Sequence, residues 1–199
     1  MSNGQLPDRV PSHVPGQHDL GPTVERFDEV VDQQLERVRG NPVLDRVFTT
    51  ASHIGDFSLI WHSVNLLLGI RDRNPRRVVT FAALIGLESL VVNQGVKRLF
   101  RRARPTITGD DRLEVRQPRT SSFPSGHASS ATFAAALLAP RAHQPVTALV
   151  YVAAGTVATS RAYVRIHHAS DVVAGVITGG MLVAITRRVI RRLGHDDLL

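Results

Sequence analysis

Five apolar blocks, at residues 47–70, 78–96, 127–138, 146–159 and 172–186, decide most of what this 199-residue chain can become. A helix needs about 20 mostly apolar residues to cross a bilayer, and these blocks approach that length only with their small and polar flanks. Soluble core helices keep a charged face; the last three blocks have none. Small residues run through them, as in Ala153-Ala154-Gly155-Thr156 and Gly175-Val176-Ile177-Thr178-Gly179-Gly180, and such residues let membrane helices approach closely. The expectation is an all-α, membrane-embedded helical bundle of about five transmembrane helices, with a buried soluble bundle as its competitor. Asp56 and Glu88 are the charged exceptions, and within a bundle they should face inward and be paired.

The length allows one domain, divided by pattern into four parts. Residues 1–21, rich in Pro, Gly, Asp, His and Gln, form a disordered tail without the apolar core of a signal peptide. Residues 22–45 give an amphipathic helix and connector. Val24, Phe27, Val30, Val31, Leu35 and Val38 recur at helical spacing, Thr23 is the expected N-cap, and Gly40-Asn41-Pro42 is the stop. That helix suits either a membrane surface or the side of a bundle. Residues 46–192 form the bundle and 193–199 a C-terminal tail.

If each block crosses once, segments 71–77, 140–145 and 187–199 share one side, and 97–126 and 161–171 share the other. The first set is strongly basic, as expected of cytoplasmic loops. The stretch 97–119 is basic as well, which fits if those residues bind substrate anions at an extracytoplasmic surface. The formal net charge is +7 and the basic residues are nearly all arginine. Arginine suits planar, bidentate contacts to phosphate or carboxylate. There is no cysteine, so disulfides and thiolate chemistry are excluded.

Three clusters fall on the predicted outer side. Lys97 and Arg104 are seven apart, which on a helix places them nearly on one face. Arg98, Arg101 and Arg102 suit a solvated helix end or lipid-headgroup anchors. Phe123-Pro124-Ser125-Gly126-His127 precedes an apolar helix, whose free N–H groups form an anion site. Ser125 equally suits a plain N-cap. The third cluster, Ser160 to Asp171, contains Arg161, His167, His168 and Asp171. His167 and Asp171, four apart, would share a helical face, and a carboxylate beside an imidazole makes it a better nucleophile or base. His168, three residues from Asp171, satisfies the spacing too.

Taken together, the clusters resemble the tripartite signature of the type 2 phosphatidic acid phosphatase superfamily, which includes membrane lipid phosphatases, bacterial acid phosphatases and vanadium haloperoxidases. Lys97 with Arg104-Pro105 matches the first motif, Pro124-Ser125-Gly126-His127 the second, and Ser160-Arg161 with His167 and Asp171 the third. The resemblance implies that His167 attacks phosphorus and forms a phosphohistidine, that Asp171 orients its ring, and that His127 protonates the leaving oxygen and then activates water. Lys97, Arg104, Arg161, Ser125 and the Gly126 amide would bind the phosphoryl oxygens. The family pattern alone selects His167 over His168. Relatives often carry Gly and Pro where this chain has Arg165 and Ala169, and Arg165 is expected to face water. The membrane relatives usually cross six times, so the amphipathic helix is expected to replace the missing crossing.

The expected activity is a membrane lipid phosphate phosphatase acting on phosphatidate-type or polyprenyl phosphates or diphosphates. It would have lipid phosphate and membrane lipids as partners, no nucleic acid and no cofactor. Three clustered cations repel a metal, so no metal site is expected. A vanadium haloperoxidase or soluble acid phosphatase would use the same pocket. A basic nucleic-acid- or anionic-lipid-binding membrane protein accounts for the arginines but not for the histidine–aspartate pair. A serine hydrolase lacks its Gly-x-Ser-x-Gly elbow.

Overall fold

The computed structural model describes residues 20–106, 113, 115 and 120–195. The expected N-terminal tail, apart from its last two residues, and the final four residues lie outside them. Every regular element among the described residues is helical. Helix α1, Pro22–Glu36, starts at a proline with Gly21 as N-cap at φ 91°, not with Thr23 as cap; proline's fixed φ is already helical at the first position. Asn41 both follows α1 and starts α2, Pro42–Ile54, accepting from the amides of Val43 and Leu44. Helix thus begins where a connector to residue 45 was expected.

The first apolar block is two helices rather than one. It breaks at Gly55 and a short 3-10 turn, Asp56–Ser58, where Phe57 and Ser58 adopt left-handed φ of 53° and 58°. The other helices are α3 (Leu59–Asp72), α4 (Pro75–Leu99), α5 (Gly126–Leu138), α6 (Gln144–Tyr163) and α7 (Ala169–Arg192). Of these, α4 and α7, at 25 and 24 residues, are long and apolar enough to cross a bilayer.

Helices α3 to α7 run between two ends of the bundle. At one end Arg141 joins Asp72 and Asn65, Arg71 donates to the Arg141 carbonyl, and Arg187 donates to the Ala136 carbonyl. The other end gathers Asp56, Lys97, His127, Arg161 and Asp171. Helix α2 lies across this second end, since Asp45 near its start accepts from Tyr163 and Ser52 near its finish accepts from Arg161. Helix α1 is also at this end. Asp28 accepts from Ser170, and Arg39, just past the helix, donates to the Ala162 and Tyr163 carbonyls. It therefore does not replace a crossing.

The core is built on α5, a helix of small residues that packs mainly on α7 and α6. Trp61, Phe133 and Leu138 are among the buried side chains, whereas Leu67, Val79, Leu149, Val152, Ile177 and Met181 are exposed. So much outward apolar surface is the mark of a lipid-facing bundle. The seam between α5 and α7 has no room for side chains. A Cβ on Gly175 would lie 2.4 Å from the Ser125 carbonyl oxygen, and one on Gly179 would lie 2.3 Å from that of Ser129.

Gly175→Ala and Gly179→Ala should each destabilise the detergent-solubilised protein, by about 1–3 kcal/mol if the backbones part as in overpacked cores. Gly180→Ala, with nothing near its added methyl, should leave thermal stability unchanged or raise it slightly. Thermal unfolding of the three variants measures the contrast.

Candidate active site

Helix α4 buries Phe81, Ile85, Glu88 and Val92 at spacings of three and four, and then Lys97 after five. The longer step is made by a π-helical turn, Val91–Val96, a local widening frequent at functional sites. Without it Lys97 would rotate off the buried face. The helix ends two residues later, with extended backbone at Phe100, so Arg104 reaches the site from a returning loop rather than from two turns along α4. Its guanidinium donates to the carbonyls of Ile166, at 2.8 Å, and Thr120, at 3.1 Å. Arg104 also lies 3.3 Å from His167 Nε2.

On the same loop, Arg102 is buried and paired, unlike the solvated anchor expected of it. It contacts Asp28 at 2.6 Å and Asp171 at 2.5 Å. Burial works against the Arg102 cation, but the two carboxylates outweigh it and push its pKa up.

The second cluster starts α5. Ser125 is its N-cap and accepts from the Ala128 amide at 3.4 Å, while its own amide donates to the Asp171 carbonyl at 2.9 Å. Gly126 opens the helix. A Cβ there would crowd Asn93 Oδ1 at 3.1 Å and stand 3.8 Å from Lys97 Nζ, so glycine lets the helix start close to the lysine. His127 Nε2 meets Asp56 Oδ1 at 2.8 Å. Asp56 is paired as expected of a charge in this block, and so is Glu88, which accepts from Ser129 and Ser130.

In the third cluster Arg161 is 1% exposed in the last turn of α6 and donates to Ser52 of α2. His167 and Asp171 do not share a helical face. His168 is the N-cap of α7, and His167 precedes the helix. The pair meets because the Arg161 carbonyl accepts from the Ile166 and His167 amides, folding the chain back. His167 Nδ1 then lies 3.6 Å from Asp171 Oδ2. Asp171 Oδ2 also accepts from Ser122 at 2.5 Å and from the His168 amide at 2.9 Å. His167 is buried, which with the nearby Arg104 and Lys97 charges outweighs Asp171 and holds its pKa well below 6.5. The ring is therefore neutral at neutral pH.

His168 reaches Asp171 through its backbone and has its ring beside Arg102 and Ala103; burial lowers its pKa too. Arg165 does not face water. It adopts φ 55°, a conformation natural to the glycine of many relatives, and pairs with Asp32 at 3.2 Å and Glu36 at 2.8 Å on α1.

The structure therefore brings together all the residues singled out: Lys97, Arg104, Ser125, Gly126, His127, Arg161, His167 and Asp171. Among the described residues, no carboxylate lies within ion-pair distance of Lys97, Arg104 or Arg161, and the buried Nε atoms of both arginines have no hydrogen-bond partner. Each of the three cations is in electrostatic range of the others. Burial pulls the Arg104 pKa down to about 10, which leaves it charged at neutral pH. Sequence reasoning missed Ser122, Ser52, Asn93 and Asp28, and also the partners of Arg102 and Asp56. Asp56 alone carried a signal, as a charge inside an apolar block.

A family model described as "PAP2 superfamily" matches residues 77–194. The chain is 33% identical over 138 residues to a decaprenylphosphoryl-5-phosphoribose phosphatase of Mycobacterium tuberculosis, covering 69% of this chain and 76% of that one. It is 35% identical over 127 residues to the protein of that name from Mycolicibacterium smegmatis, covering 62% and 67%. Two solved structures resemble it in fold at TM-score 0.66. One is the transmembrane PAP2 type phosphatidylglycerolphosphate phosphatase from Bacillus subtilis, at 23% identity over 87% of this chain and 89% of that chain. The other is Aquifex aeolicus LpxE, at 22% identity over 86% and 99%. With its motifs gathered at one end of a bundle of that fold, the chain belongs to the PAP2 superfamily and is a phosphatase of the membrane.

Proposed function

We propose that the protein removes a terminal phosphomonoester from a polyprenyl-linked sugar phosphate, through a phosphohistidine on His167 and without a metal. The observation that carries this reading is the group of cations, buried Lys97 and Arg161 and half-buried Arg104, held beside His167 with no carboxylate in ion-pair contact among the described residues. Buried unpaired charge is costly, and a bound phosphate dianion would relieve that cost. The choice of lipid rests on the two mycobacterial relatives, whose names specify a decaprenylphosphoryl-5-phosphoribose phosphate ester.

In the proposed reaction the neutral His167 attacks through Nε2, the nitrogen facing Arg104, while Nδ1 faces Asp171. An N–P bond forms as the ester P–O bond breaks, and His127 gives its proton to the departing oxygen. His127 then takes a proton from water, whose oxygen attacks phosphorus. The N–P bond breaks, leaving neutral imidazole and inorganic phosphate. Asp56 on His127 Nε2 orients that ring and leaves Nδ1 for the proton transfers. Lys97, Arg104, Arg161, the Gly126 amide and the Ser125 hydroxyl hydrogen face the oxygens on which charge builds.

The chain would be multi-pass, with α3 to α7 crossing and α1 and α2 lying at the extracytoplasmic surface. The basic segments 71–77 and 187–194 sit at the opposite end from the site, as the positive-inside rule requires.

In detergent with chelator present, the full-length protein should release phosphate from a polyprenyl-phosphoryl ribose phosphate faster than from phosphatidate, phosphatidylglycerol phosphate or polyprenyl diphosphate. His167→Asn should lower kcat on the order of 10⁴-fold or more. Retained turnover in His167→Asn with loss in His168→Asn would reverse the assignment, and no metal-free release from any substrate would reject the mechanism.

The pH profile gives a second check. Protonation of His167 removes its attacking lone pair, and because burial holds its pKa well below 6.5, the acidic limb of kcat/KM should fall below pH 6.5. A limb at or above that value contradicts a buried, neutral nucleophile.

A further inference from the structure

Asp28 belongs to α1, outside the family match at residues 77–194, yet it is 7% exposed and surrounded by polar partners. Its Oδ1 accepts from the Ser170 amide at 2.7 Å, and its Oδ2 accepts from the Ser170 hydroxyl at 2.7 Å and from Arg102 at 2.6 Å. The other arm of Arg102 donates to Ser170 Oγ at 2.7 Å and to Asp171 Oδ1 at 2.5 Å. The opposite oxygen of Asp171 faces His167. Charge-assisted hydrogen bonds therefore run without a break from α1 to Asp171, whose other oxygen stands 3.6 Å from the His167 ring.

We propose that Asp28 is a positioning residue for the phosphoryl transfer, acting through Arg102 to keep the Asp171 carboxylate aligned on His167 and negatively charged overall. This rests on the reading of His167 as phosphoryl acceptor. Arg102 and Asp171 alone would form a neutral pair, whereas Asp28 makes the trio net negative. Attack leaves positive charge on the His167 ring, close to Arg104 and Lys97, and the extra carboxylate offsets it. The ground state carries no such ring charge, so the benefit falls on kcat rather than on substrate binding.

Docking of α1 does not depend on Asp28 alone. Asp32 and Glu36 hold Arg165, and Arg39 pairs with Asp32 and binds the end of α6. Loosening α1 can therefore be separated from cutting the chain of hydrogen bonds.

The test uses the full-length protein in detergent, with the lipid phosphate that the wild type turns over and with inorganic phosphate as competitor. Asp28→Asn should lower kcat about tenfold, with KM and inhibition by inorganic phosphate within about twofold of wild type. Asp28→Glu, which keeps the charge, should recover most of the loss. Combined with Arg102→Gln, Asp28→Asn should cost no more than Arg102→Gln alone. Asp32→Asn loosens α1 without touching Arg102 and should lower kcat less.

Equal kcat losses in Asp28→Asn and Asp32→Asn, additive losses with Arg102→Gln, or wild-type kcat in Asp28→Asn would each overturn the proposal. If His167→Asn abolishes turnover while Asp28→Asn retains it, this assignment fails and the phosphatase reading stands. If His167→Asn keeps its activity, the reading beneath the proposal fails as well.

Discussion

Positive charge held largely out of water, with no carboxylate in direct contact among the described residues, is the constraint on which this structure turns. In a medium of low dielectric, Lys97, Arg104 and Arg161 repel one another, and desolvation adds to the cost. The two arginines are held in place by neutral oxygens, Arg104 by carbonyls and Arg161 by Ser52. Such dipoles fix geometry without cancelling charge, so the field of the three cations stays directed into the site. A carboxylate beside any of them would stabilise the empty protein and weaken its hold on an anion.

The helices are arranged to meet that constraint. The π turn in α4 carries Lys97 inward, Gly126 lets α5 begin beside it, and Gly175 lets α7 lie against the first turn of α5. The Ser125 amide donates to the Asp171 carbonyl, so the proposed phosphate cradle and the histidine–aspartate pair share a backbone contact. A sub-ångström shift of α7 would be felt in both.

Much of this was legible in the sequence. The eight motif residues stand at recognisable spacings, and four of the five apolar blocks correspond to single helices. Spacing misled where the chain left the helix. Arg104 and His167 both lie on irregular backbone, so their neighbours arise from loop return rather than from helical periodicity. The first block was misjudged because apolar character says nothing of direction; Gly55 and the left-handed residues after it turn the chain. Asp28, Ser122 and the pairing of Arg102 were invisible for a simpler reason. Each depends on a partner at least 49 residues away, as with Ser122 and Asp171, and nothing local marks it. Arg165 belongs to the same class. Its left-handed backbone costs of order 1 kcal/mol or more, a strain offset by Asp32 and Glu36 on a helix far earlier in the chain.

The two kinds of arginine at this end of the bundle imply how the proposed substrate is recognised. Arg102 is held between carboxylates and has no free charge to offer a ligand, whereas Arg104 and Arg161 touch no carboxylate among the described residues and keep a buried Nε without a hydrogen-bond partner. A polyprenyl-phosphoryl sugar phosphate presents a diester with one negative charge and a terminal monoester with nearly two. A site with three cations free of direct ion pairs gains more from the dianion, and the difference grows as water is excluded. The monoester is also the group farthest from the lipid tail, so it can enter the polar end of the bundle while the tail stays in the bilayer. Charge and membrane depth then select the same phosphate, with no need for contacts to the tail itself.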